Sequence, residues 1–188
     1  MKTLIINGSP RKNGGTSTIV HKLAELLSGE TEIIETYSCG VHPCTDCRYC
    51  WTHNACVIKD AMQDMYKKID EADNIVLASP IYFAELTGPL LSWASRLQYF
   101  WAARNFRKEE VLRPKDRFGA VILVDGGEGI YENALSMGKR LLKIIRAEYK
   151  ELIYYSGTDK DKPQNPLEDS ETVDKIYKLA ELLNRNAK

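Results

Sequence analysis

Cys44, Cys47, Cys50 and Cys56 form a C-x2-C-x2-C-x5-C array, four thiols within thirteen residues. Thiolates this close in sequence can wrap one cubane iron–sulfur cluster, because each short step carries the next sulfur to another corner. Two other readings stay open. The thiols are free and only shape a surface, or they hold zinc with the neighbouring His42 and His53, although two separated CxxC pairs suit zinc better. Cys39 lies outside the array and reads as a plain thiol.

A second chemical feature lies near the start. The apolar run Thr3-Leu4-Ile5-Ile6 breaks at Asn7-Gly8-Ser9-Pro10 and passes through a polar loop to Gly14-Gly15. Thr16, Ser17 and Thr18 follow, and Ile19, Leu23, Leu26 and Leu27 then share one helical face. A strand, a glycine-bearing loop and a helix start make an anion site, because free N–H groups and the helix dipole both favour negative charge there. A Walker A loop needs Lys-Ser or Lys-Thr after its last glycine, and here Gly15 is followed by Thr16. The G-x-G-x-x-G dinucleotide fingerprint is also missing, since Gly14 is the next glycine after Gly8. The hydroxyls, amides and Arg11 that remain suit one terminal phosphate held without a metal. The plain alternative is an ordinary capped turn.

The chain has 188 residues, 44% hydrophobic, with zero net charge, so one domain over residues 1–188 with a sizeable core is expected. That balance gives no reason to expect nucleic acid or an acidic membrane surface as a partner. No apolar run approaches the roughly 20 residues of a membrane span, and the opening MKTLIINGSP lacks a signal peptide's longer apolar segment. A soluble cytoplasmic protein follows as the expectation. Its five cysteines then read as thiols or ligands rather than disulfides.

The elements that must position these groups alternate. Residues 31–37 read as an outer strand, and Asp60 as the cap of a helix turning Met62, Met65, Ile69 and Ala72 inward. A buried strand over 74–78 ends at Ser79-Pro80. Gly88-Pro89 opens a helix with Leu90, Trp93, Ala94, Leu97 and Trp101 on one face. Residues 104–117 are charged and irregular, carrying Arg104, Arg107, Lys108, Arg113, Lys115 and Arg117. They read as a solvated loop, with a phosphate-attracting patch or a lid as the alternative. A strand over 118–124 breaks at Asp125-Gly126-Gly127-Glu128-Gly129. A helix over 132–147 and a strand over 151–155 follow, and a last helix brings Val173, Ile176, Tyr177, Ala180 and Leu183 together. Strands alternating with helices in this way predict an α/β three-layer sandwich around a five-stranded parallel sheet. Ligands then bind beyond the carboxyl ends of the strands, where loops 7–17, 79–88 and 125–131 meet. A phosphate loop, an aromatic loop (Pro80-Ile81-Tyr82-Phe83) and a glycine loop together suit a flat aromatic cofactor with a phosphate tail. Trp93 and Leu97, at helical spacing, read as core.

GSPRKNGGTS followed by SPIYFAELTGPL resembles the flavodoxin-like NADPH-dependent FMN reductase family, and the cysteine loop resembles its iron–sulfur flavoprotein branch. The resemblance covers nearly the whole chain. It implies strand order 2-1-3-4-5, noncovalent FMN, and a homodimer or homotetramer. By position it implies that Ser9, Arg11, Asn13, Thr16, Ser17 and Thr18 hold the FMN phosphate, and that Pro80, Ile81, Tyr82 and Phe83 border the ribityl chain and ring. Gly126, Gly127 and Glu128 would approach the ring from the third loop, where backbone N–H groups can meet the negative charge that collects on reduction. Cys44, Cys47, Cys50 and Cys56 would ligate a [4Fe–4S] cluster. Gly15 stands where the family commonly has Asn, and Leu91 and Ser95 where it often has Lys and Asp, with Arg96 retained.

The activity implied is an FMN-dependent oxidoreductase with NAD(P)H as co-substrate and a flavin, quinone or similar small molecule as acceptor. The alternative is an electron carrier with FMN and a [4Fe–4S] cluster, serving a redox protein. Hydride transfer needs no protein acid or base, and no residue is assigned to catalysis. A non-redox anion-binding module is a third reading. Its receiver-type version is weak, because no acidic pair follows the first strand.

Overall fold

The computed structural model describes residues 1–127, 129–160 and 163–187. Its elements are β1 (Lys2–Asn7), α1 (Gly15–Leu26), β2 (Glu30–Glu35), α2 (Tyr49–Thr52), α3 (Met62–Glu71), β3 (Asn74–Tyr82), β4 (Glu85–Leu86), α4 (Gly88–Ser95) and α5 (Gln98–Ala102). A π-helical turn over Ala103–Arg107 leads to β5 (Arg117–Val124), α6 (Glu132–Ile144), β6 (Ala147–Tyr155) and α7 (Ser170–Asn184).

Five strands form a parallel sheet in the order β2-β1-β3-β5-β6, and β4 pairs antiparallel with the end of β3 as a hairpin. With β4 set aside, this is the 2-1-3-4-5 order implied by the resemblance. Strand alternation sorts the core into two layers. Leu4, Ile6, Ile75, Leu77, Val121 and Leu123 face the layer holding Met62, Ile69, Trp93 and Leu142. Ile5, Val76, Ala78, Ala120 and Ile122 face the opposite one, with Ile19, Leu23, Ile176 and Leu183. Central strands buried on both faces show as unbroken apolar runs, which is why they were legible in sequence.

Several boundaries differ from the sequence reading. Strand β3 does not end at Ser79-Pro80 but continues through Tyr82, because Ile81 and Tyr82 pair with Leu86 and Glu85. The helix after Gly88 breaks at Arg96-Leu97 and restarts one step out of phase. Phe100 therefore takes the buried place expected for Trp101, which is 37% exposed. Strand β6 starts at Ala147 rather than 151. In α7, Thr172 and Leu179 are buried where Val173 and Tyr177 were expected. The basic stretch is tied down rather than solvated: Arg113 and Arg117 bond Asp70, Lys115 bonds Asp73, and Arg104 donates to the Ile144 carbonyl. Among the described residues no helix is long and apolar enough to cross a membrane.

Candidate functional site

Register sets the site. Asn7 lies opposite both Glu35 and Ala78, and Val124 opposite both Pro80 and Tyr155, so the carboxyl ends of the strands finish along one edge. The order reverses between β1 and β3, and a cleft of about 310 Å³ opens there. Buried Asn7 fixes the first loop: its side-chain amide donates to Ser17 Oγ (3.1 Å) and Glu35 Oε2 (2.9 Å), and its Oδ1 accepts from Ser9 N (3.1 Å). Gly8 crosses so near Thr87 and Ala78 that a Cβ there would sit 2.8 Å from Thr87 Oγ1.

Helix α1 starts at the cleft without a side-chain cap, since Gly14 is its N-cap. The first amide to bond back within the helix is Thr18 N, to Gly14 O at 2.9 Å. The amides of Gly15, Thr16 and Ser17 therefore have no acceptor among the described residues, and neither does the Thr16 hydroxyl. Ser9, Arg11, Asn13 and Thr16 line the cleft, as do Pro80, Ile81, Tyr82 and Gly126. Ser17 and Thr18 do not line it. The Ser17 hydroxyl is buried and donates to Arg11 O at 2.8 Å, which makes it a strut of the loop rather than a ligand group. Ser9 is also partly spent on the loop, donating to Arg11 O at 3.1 Å.

A second cavity of about 460 Å³ continues past Tyr82 and Gly126, lined by Phe83, Ala84, Ile130 and Lys160. Phe83 and Ala84 form the hairpin tip with φ of 53° and 62°. Left-handed backbone at two non-glycine residues stores strain of the kind that collects at functional sites. Phe83 is 103% exposed there.

Asp125, at the end of β5, was passed over in sequence as part of a glycine turn. Its carboxylate accepts from Gly127 N (2.8 Å), Tyr154 OH (2.7 Å) and Ser156 Oγ, and its carbonyl from Thr158 N (3.3 Å). Gly127, with its amide so used, is absent from the cleft lining; Glu128 lies outside the described residues. Asp125 thereby draws in a fourth loop that the sequence reading missed, whose Thr158, Asp159 and Gln164 reach the cleft. Nothing in its sequence signalled it, because its residues are ordinary polar ones. Burial and the Asp125 carboxylate push the Tyr154 phenol up to about 12, outweighing its contact with Ser156.

The cysteine loop leaves β2 on the same edge. Cys44, Cys47, Cys50 and Cys56 line one small cavity with Tyr66, Arg96 and Tyr99. Asp46 and Arg48 adopt left-handed φ of 50° and 59°, turning the chain once between Cys44 and Cys47 and once between Cys47 and Cys50. Burial pushes the Cys50 thiol up, and Cys56, Cys44 and Cys47 add to the shift, so each of the other three lies in its field. Among the described residues no three His, Cys, Asp or Glu side chains are grouped to hold one metal ion. In a cubane each thiolate holds a different iron, so four cysteines around one cavity are the donor type such a cluster takes. His53 is spent on its own turn, its Nδ1 within 3.2 Å of the Tyr49 carbonyl and its ring stacked on Tyr49. Arg107 reaches in from the π-helical turn to the Cys50 carbonyl and donates to Asn54 Oδ1 at 3.2 Å. Its guanidinium is thus part of the loop's scaffold, not a free patch.

Residues 1–148 match the family of NADPH-dependent FMN reductases. An iron-sulfur flavoprotein of Archaeoglobus fulgidus is 28% identical over 146 residues, covering 76% of this chain and 63% of its own. An iron-sulfur flavoprotein of Methanosarcina thermophila is 30% identical over 129 residues, covering 67% of this chain and 64% of its own. The chain thus spans somewhat under two thirds of the length of these relatives. An FMN-dependent NADH-azoreductase from Bacillus anthracis, solved with FMN, shares the fold at a TM-score of 0.64, with 19% identity and 100% and 99% of the two chains covered. The chain belongs to the NADPH-dependent FMN reductase family.

Proposed function

We propose that this chain is an FMN-dependent oxidoreductase that takes hydride from NAD(P)H and passes electrons to a flavin, quinone or similar acceptor. The carrying observation is the cleft at the β1–β3 switch, with unpaired amides of α1 at one end and Tyr82 and Phe83 at the other. The residues fit FMN: Gly15, Thr16 and Ser17 amides, the Thr16 hydroxyl and Arg11 would hold a phosphate dianion, aided by the helix dipole. A Cβ at Gly126 would come 2.4 Å from Asp159 Oδ2, so the third loop there has only the width of a glycine. Pro80, Ile81, Tyr82 and Phe83 would flank the ribityl chain and ring, and the second cavity leaves room for a nicotinamide or acceptor. When bound, FMN supplies the hydride chemistry and exchanges electrons singly or in pairs. The protein's task is to orient the ring and exclude water. We read residues 1–188 as one such domain in the cytoplasm, and its assembly into a homodimer or homotetramer is supported by exposed Val57, Trp101 and Phe106. Steady-state oxidation of NAD(P)H with a quinone, on the FMN-loaded chain, tests this. Turnover dependent on FMN supports it, and no turnover with either pyridine nucleotide contradicts it.

A second reading is favoured by the four thiols around one cavity. Here the chain also carries a [4Fe–4S] cluster on Cys44, Cys47, Cys50 and Cys56 and transfers single electrons to a redox partner. Anaerobic purification with about four irons per chain, lost in Cys47→Ala while FMN stays bound, supports it. An iron-free wild type contradicts it.

A further inference from the structure

Arg96, at the end of α4, is 1% exposed and sends its guanidinium into the cysteine loop. Nη1 donates to the His42 carbonyl (2.9 Å) and to Asp60 Oδ2 (2.7 Å). Nη2 donates to Cys56 Sγ (3.3 Å), with the Ile58 carbonyl at 3.4 Å. Nε is buried with no hydrogen-bond partner among the described residues. The two sides of this fork differ in kind: one meets a carboxylate, the other a cysteine sulfur.

A buried arginine needs charge and hydrogen-bond partners, because a cation loses its hydration on leaving water. Asp60 meets that need on one side only. The other side faces Cys56, so the cation's field falls on that sulfur rather than being spent wholly within the ion pair. The clamp also joins both flanks of the array, since His42 precedes Cys44 while Ile58 and Asp60 follow Cys56.

We propose that Arg96 is the positioning and charge-balancing residue of the cysteine site: its guanidinium, oriented by Asp60, offsets negative charge on Cys56 and raises the reduction potential of a cluster held by the four thiolates. The inference rests on the cluster reading above and adds which side chains set the potential. Hydrogen bonds to ligating sulfur and nearby cations both stabilise the reduced, more negative state. Asp60 acts in the opposite sense by cancelling part of the cation's charge.

Opposite signs make the test. The full-length chain is loaded with iron and sulfide anaerobically, its iron counted, and its cluster potential titrated by electron paramagnetic resonance. Arg96→Gln is expected to lower the potential and to speed iron loss. Asp60→Asn is expected to raise it, and Arg96→Lys to lie between Arg96→Gln and wild type. Potentials that coincide in loaded variants, or shift in the same direction for Arg96→Gln and Asp60→Asn, overturn the proposal and leave Arg96 a structural clamp. Should Arg96→Gln fail to fold by circular dichroism, Asp60→Asn against Arg96→Lys carries the test, and no rise in Asp60→Asn overturns it. A wild type that takes up no iron removes the cluster reading and this inference with it, which the iron count separates from unmoved potentials.

Discussion

The Tyr154 hydroxyl donates to Asp125 Oδ2 at 2.7 Å, joining the last strand of the sheet to the turn that follows its neighbour. The same carboxylate holds Gly127 N and Ser156 Oγ, so one side chain sets two of the loops around the cleft. Asp125→Ala leaves three donors unpaired and frees both loops. Each orphaned donor costs about 1–3 kcal/mol if it stays buried, and FMN affinity is expected to fall roughly tenfold. Quenching of FMN fluorescence measures this, and an unchanged Kd contradicts the role.

Gly8 needs no left-handed backbone, so its restriction is one of space alone. In Gly8→Ala the new methyl would meet Thr87 Oγ1 at 2.8 Å and the Ala78 carbonyl oxygen at 3.1 Å. Overpacking of this kind costs about 1–3 kcal/mol, a fall in Tm of several degrees for a domain of this size. A melting curve matching wild type would mean the strands do not approach this closely.

Stability is expected to fall at both ends of the pH scale. Burial pushes the Asp60 carboxyl up, but Arg96 and the amides of His42 and Met62 outweigh it and hold it below its ordinary value. Burial likewise opposes, and Arg113 with Arg117 outweighs, at Asp70. A lowered folded value means stability present above the unfolded carboxylate value of about 4 and lost as pH falls through the lowered one. Tyr154 runs the other way, pushed up to about 12, chiefly by burial. Its neutral form is favoured in the fold, so stability is intact below the unfolded value of about 10 and declines as pH rises from there. Burial pushes Tyr66 up as well, in the same sense. Urea midpoints across pH read both limbs. If Tyr154→Phe leaves the alkaline decline unchanged, Tyr154 is not among its causes.

How much of this was legible depended on what kind of signal each residue carries. Ile75-Val76-Leu77-Ala78 and Val121-Ile122-Leu123 announce central strands because both faces are buried. The start of β6 carries Glu148 and Lys150 on an edge strand, where solvent tolerates charge and the apolar run disappears. Ile81 and Tyr82 were assigned to a loop because their pairing with Leu86 and Glu85 follows a Ser-Pro break. Trp101 was misplaced because a helix that breaks at Arg96-Leu97 shifts its phase, which periodicity over the whole segment hides. Ser9, Arg11, Asn13 and Thr16, named from the family resemblance, line the cleft, whereas Ser17 looked identical in sequence and turned inward. Asp125 was missed because a lone acid in a glycine turn carries no spacing. Its importance comes from partners in β6 and the loop after it.

Calorimetric titration of the cofactor-free chain with FMN and with riboflavin tests most directly whether the start of α1 grips the phosphate of FMN. Three unpaired amides and the helix dipole predict one FMN bound per chain and riboflavin, which lacks the phosphate, at least roughly tenfold weaker. Equal affinities for the two, or no heat with FMN, would contradict it.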